Sequence, residues 1–234
     1  MSDHLTRKEL KQDNVALKVE QTFNFVSLHK QQAIRMGGAL VALIVIVAAV
    51  FYYRSSQKTV RAQMLGDAIT LQGAPVGAAP PNGSPSFPTE AAKKDAVAKS
   101  YSKIISEHSG SNEAYISEYS LASIDTENGK LDDARKKYQD VADHAEQNYA
   151  SLAKLALAQL DFAENRVPEA EAILKDLSDH PTDLVSKNQA TFALAKGLIP
   201  TKPEEARKLL IGMASAASDI SQVAVAAMQD LPQQ

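Results

Sequence analysis

An all-α solenoid of paired helices, tethered to a single N-terminal transmembrane helix, is the fold class this sequence predicts. Three observations carry the prediction. An uncharged run of eighteen residues lies near the N-terminus, a Pro/Gly-rich stretch follows it, and beyond that a helical pattern returns every 36 residues.

The tail, residues 1–35, is polar. Its "TRKE" at 6–9 fits a capping box, in which the Thr side chain and the Glu three residues later satisfy open amides reciprocally. Val15, Val19, Phe23 and Val26 recur at helical spacing. Either a docking or membrane-surface helix, or a helix that simply runs into the span, accounts for them.

The uncharged run "MGGALVALIVIVAAVFYY" (36–53) stands between Arg35 and Arg54. Eighteen helical residues cover roughly 27 Å, close to a hydrocarbon core of about 30 Å. Ala33 and Ile34 extend it while Arg35 reaches back to the headgroups. Phe51, Tyr52 and Tyr53 stand where an interfacial aromatic belt belongs. A buried core helix rarely has so even an apolar circumference. A cleaved signal would not follow a polar leader this long, nor lack an A-x-A site.

Orientation is balanced. Lys18, Lys30 and Arg35 precede the span, and Arg54, Lys58 and Arg61 follow it, a tie under the positive-inside rule. Arg7, Lys8 and Lys11 tip the balance toward a cytoplasmic N-terminus.

Residues 54–72 continue as a juxtamembrane helix. "GAPVGAAPPNGSPSFP" (73–88) then places five prolines and three glycines in sixteen residues. Proline removes amide donors and glycine costs backbone entropy, so the stretch is expected to be a semi-extended linker.

From 89 to 234 the sequence is helical and periodic. "KLDDARKKYQDVADH" (130–144), "VPEAEAILKDLSDH" (167–180) and "PEEARKLLIGMA" (203–214) align on Ala134, Ala170 and Ala206. Tyr138, Leu174 and Leu210 follow at the same interval, then Val141, Leu177 and Met213. One step further back reaches Ala98 and Ile105. Small residues let two helix backbones approach, and the larger residue four positions on fills the same face. Acidic residues and Pro168 and Pro203 suit helix N-termini, and Asn128-Gly129 suits the turn between helices. Residues 218–231 are expected to form a terminal capping helix with an exposed "QDLPQQ" end.

A helix–turn–helix unit of this length, repeated, resembles a tetratricopeptide repeat, with "LA…G…A…Y…A" in 121–142 the nearest match. Tail, span ending in "FYYR" and repeat domain together resemble the YfgM-like family, ancillary subunits of the bacterial Sec translocon. That resemblance implies an inner-membrane location, a periplasmic repeat domain, and work beside translocon subunits with periplasmic chaperones or secreted chains. The Pro/Gly stretch and a last repeat reading "LIPTKPEE", with no turn glycine, depart from the family pattern. A tetratricopeptide scaffold of another envelope assembly, for cell division or outer-membrane biogenesis, is the alternative.

Chemistry is excluded more than suggested. Residues 89–234 carry 16 Lys/Arg against 23 Asp/Glu, a poor match to a phosphate backbone, so no nucleic-acid partner is expected. There is no cysteine, phosphate loop, dinucleotide fingerprint or nucleophile elbow, and neither enzyme activity, cofactor nor small-molecule substrate is expected. His108, His144 and His180 lie 36 apart, at one position of three repeats. Equivalent helices stand about 10 Å apart, while zinc requires nitrogens at about 2.0–2.1 Å, so no metal site is expected. In such solenoids the first helices of successive pairs line a groove. Here that selects Ile116, Tyr119, Ser123, Leu152, Leu155, Gln159, Asn188 and Thr191 for binding protein, with helix-on-helix packing the competing role for several of them.

Overall fold

A computed structural model describes residues 30–77, 83–216 and 220–232. The expected helix in residues 1–29 lies outside these. The described residues form nine α-helices and no strand, arranged as an α-solenoid. Two units, 1–59 and 60–234, divide the chain.

The first unit contains most of α1 (Lys30–Gly73). Leu40, Ile44 and Val47 are each 58–59% exposed, so none of the described residues covers the apolar run. By length and composition α1 is sufficient to cross a membrane.

The second unit begins at Val60 and takes in the last turns of α1. Ala68 there is fully buried, packing with Val97, Tyr101 and Ile104 of α2 (Glu90–Glu107) while Met64, Leu65 and Leu71 border the cluster. The Tyr101 hydroxyl donates to Gln72 Oε1 at 2.6 Å. The last turns of α1 are therefore the first helix of the first pair. The boundary expected at Thr89 falls inside that pair, and the expected linker is its interhelical connection. Gly77 N–H donates to the Phe87 carbonyl at 2.9 Å and Phe87 N–H to that of Pro75 at 3.1 Å, pairing residues 75–77 with Phe87. Thr89 then caps α2, its Oγ1 accepting from Ala92 N–H at 3.1 Å.

Three further pairs follow. They are α3 (Asn112–Glu127) with α4 (Leu131–His144), α5 (Gln147–Ala163) with α6 (Val167–Asp179), and α7 (Lys187–Leu198) with α8 (Pro203–Ser215). The alanine column lies at the helix crossings, with Ala134, Ala170 and Ala206 all at 0% exposure. Tyr138, Leu174 and Leu210 are buried beside them. In the first pair the register shifts by one residue: Val97, Tyr101 and Ile104 are buried, whereas Ala98 and Ile105 are only half-buried. The loop after α2 spans four residues against two after α4, while α3 is one residue shorter than α5, and together these give the one-residue slip.

Turns within pairs end α3 and α5 alike. Gly129 has φ of 75° and Asn165 φ of 61°. Both left-handed residues let the next amide reach back, Lys130 to Asp125 O at 2.8 Å and Arg166 to Asp161 O at 2.7 Å. Beyond α8, α9 (Ser221–Ala227) and a short 3-10 turn (Met228–Asp230) cover the end of the core. The expected exposure of the terminal segment is corrected at Leu231, which is 6% exposed because it packs into the last core cluster.

A buried ion network ties the middle pairs together. Asp161, its side chain 5% exposed, pairs with Arg135 at 2.8 Å and Arg166 at 2.8 Å. Glu164 receives the same two guanidiniums at 3.3 and 2.6 Å. Asp125 and Lys137 form a simpler version, 2.8 Å apart, one repeat earlier.

Candidate functional site

Successive first helices α3, α5 and α7 lie side by side, as tandem helix pairs require. Between α5 and α7 the surface opens into a cleft of about 470 Å³ lined by Leu155, Gln159, Phe162, Gln189, Phe192, Ala193, Lys196 and Gly197. Its walls are mostly apolar, with the two glutamines and Lys196 as the polar groups. None of those three side chains has an ion-pair or hydrogen-bond partner among the described residues.

The cleft depends on a close approach. A Cβ built on Gly197 would stand 2.1 Å from Phe162 Cε2, so the aromatic ring lies against bare backbone. Gly197 occupies the repeat position of Asp161, the centre of the buried ion network one pair earlier. An apolar wall has replaced a salt-bridged position there.

The eight residues selected from sequence do not act as one surface. Leu155 and Gln159 line the cleft together. Leu155 is also a core residue at 7% exposure, and Leu152 packs against the same core. Tyr119 belongs to an aromatic cluster, its ring 5.4 Å from Tyr138 and 6.2 Å from Tyr149. Burial first, then those two phenols, pushes its own phenol up. Ser123 lies beside the Tyr138 phenol, which burial pushes up while the Thr126 and Ser123 hydroxyls lower it. Thr191 Oγ1 donates to Lys187 O at 2.9 Å and lies 3.3 Å from Ser178 Oγ of α6. Asn188 is exposed outside the cleft, and Ile116 is half-buried on α3.

Phe162, Gln189, Phe192, Ala193, Lys196 and Gly197 were not selected by the repeat register. A cleft between neighbouring helices is lined by the forward face of one and the backward face of the next. Projecting one repeat position along the chain finds one wall only. The i, i+3, i+4, i+7 spacing of Gln189, Phe192, Ala193 and Lys196 is the signal for the other.

A second cavity, of about 380 Å³, has the opposite character. Ile105, Ser109, Gly110, Ala114, Tyr115, Glu118, Asp140 and His144 line it. The His144 ring stacks on Tyr115 at 6.4 Å, and its Nδ1 is 3.1 Å from Asp140 Oδ1. Burial, then the neighbouring Asp140, raises the Glu118 carboxyl to about 7.

The three spaced histidines end their helices as expected: His108 and His180 follow the last residues of α2 and α6, and His144 is the last residue of α4. Among the described residues no cluster of His, Asp and Glu has the geometry of a metal site.

A family model for a tetratricopeptide repeat-like domain matches residues 30–190, which takes in α1 through the beginning of α7. The chain matches no curated protein and no solved structure.

Proposed function

The chain belongs to the tetratricopeptide repeat-like family, and from that premise we propose a non-enzymatic, membrane-anchored adaptor that binds protein on its first-helix face. The cleft between α5 and α7 is the observation that carries the binding role. It offers apolar walls with unpartnered amides and one ammonium at the mouth, the composition of a surface that takes a polypeptide segment. The anchoring role rests on the bare apolar length of α1, whose exposed Leu, Ile and Val side chains need lipid to leave water.

The partner reading follows the resemblance of tail, span and repeats to the YfgM-like family. It sets the repeats on the periplasmic side of a bacterial inner membrane, beside translocon subunits, chaperones or emerging chains. A photoreactive amino acid at Gln159, in intact membranes, tests it. Crosslinks to translocon subunits or periplasmic chaperones are expected. Crosslinks confined to division or outer-membrane biogenesis proteins would replace this partner with the scaffold alternative.

Topology has a separate test in single cysteines, Ser2→Cys and Ser109→Cys. In intact spheroplasts an impermeant thiol reagent is expected to label the second and spare the first. The reverse pattern overturns the orientation.

A further inference from the structure

We infer that the cleft between α5 and α7 selects an internal partner segment presenting a bulky apolar side chain beside a carboxylate. The inference rests on the protein-binding role proposed above and specifies the chemistry of what binds.

Shape supplies the first half. Leu155 and Phe162 on one side, and Phe192 and Ala193 on the other, enclose about 470 Å³, room for a Leu, Phe or Tyr side chain and its backbone. The depth exists because Gly197 has no Cβ to push Phe162 inward across the opening.

Charge supplies the second half. Lys196 is the charged residue lining the cleft, and it has no ion-pair partner among the described residues. Its surroundings favour no anion in general, because residues 89–234 carry 23 Asp/Glu against 16 Lys/Arg. A carboxylate is therefore repelled by the net charge of the domain and attracted by the ammonium in this cleft. The second cavity has no Lys or Arg in its wall to attract the same group.

Gln159 and Gln189 complete the site. Each amide both donates and accepts, which suits the backbone of an extended or helical segment passing over the pocket. One ammonium with amide neighbours contacts a side-chain carboxylate, and no second cation is present among the lining residues to clamp a chain terminus.

A random dodecapeptide display library, panned on the full chain in detergent micelles, tests this. Enrichment of a Leu, Phe or Tyr within two residues of Asp or Glu is expected. For a synthetic enriched peptide, replacing its acid by Lys should weaken binding about tenfold by anisotropy, as attraction turns to repulsion. Lys196→Glu should reverse that preference. This exposed position tolerates the change, and Ala193→Trp, which fills the pocket, should abolish binding in a chain that still melts cooperatively. No enrichment, an enriched motif without acid, or affinity unchanged by Lys196→Glu overturns the inference. If crosslinks from Gln159 still form in that case, the selectivity falls while the binding role stands. If neither crosslinks nor peptides are found, both fall.

Discussion

The Phe162 ring lies so close to Gly197 that a Cβ there would stand 2.1 Å from it. Gly197→Ala must displace the ring, an overpacking cost of about 1–3 kcal/mol. Thermal unfolding followed by circular dichroism should show a melting temperature lower by roughly 2–4 °C per kcal/mol. An unchanged melting temperature would mean the ring has room to move. This glycine was not legible in the sequence, where a lone Gly in a helical pattern signals only weak helix. Asn165, by contrast, could be found by counting 36 residues from Gly129, and both adopt positive φ. Glu118 is a third local case. Its carboxyl is raised to about 7 by burial and then by Asp140, from an ordinary value of 4.5. The folded state thus holds a proton that the unfolded chain releases earlier. Glu118 is therefore least costly to stability below about pH 4.5, and its cost grows as pH rises toward 7 and is complete above it. Glu118→Gln should remove that part of the decline, seen as a flatter melting temperature between pH 5 and 8. A slope identical to that of the wild type would contradict the assignment.

At the scale of elements, the last turns of α1 matter most. Ala68 is fully buried against Val97, Tyr101 and Ile104, and Arg61 pairs with Glu113 of α3 at 2.9 Å. A fragment beginning at 89 exposes that apolar face, whereas one beginning at 60 keeps it covered. The shorter fragment should bind a hydrophobic dye and lose protection in α2, while the longer should melt cooperatively. Equal behaviour would show that α1 contributes nothing to the first pair. The sequence hid this because the proline- and glycine-rich stretch has the composition of a tether. Composition reports the local backbone, and it cannot tell whether the chain returns to pack on what came before. The later pairs were legible for the converse reason. Their alanine position and the two large apolar positions after it recur, so the same crossing geometry is specified each time. Only the first pair slipped, by one residue.

Across the whole repeat domain, contacts run between neighbours, so stability is expected to vary along it rather than rise and fall as one quantity. Leu231 closes the end of the last core cluster at 6% exposure. Leu231→Ala removes buried methyl groups, at a cost of about 2–5 kcal/mol where a site cannot collapse. Amide exchange should accelerate in α8 and α9 and remain slow in α4 and α5. Uniform acceleration would indicate a single cooperative block. The repeat architecture behind this expectation could be read from the period alone. The cleft could not, because its two walls come from different repeat positions brought together only when the helices stack.

The aromatic cluster of Tyr119, Tyr138 and Tyr149 has one more consequence. The protein has seven tyrosines and no tryptophan, and none of the seven lies beyond residue 149. Intrinsic ultraviolet emission therefore reports on α1 through the first turn of α5 and is blind to α6 through α9. With far-ultraviolet dichroism recording every helix, two optical signals from an unlabelled sample give the order in which the two halves come apart.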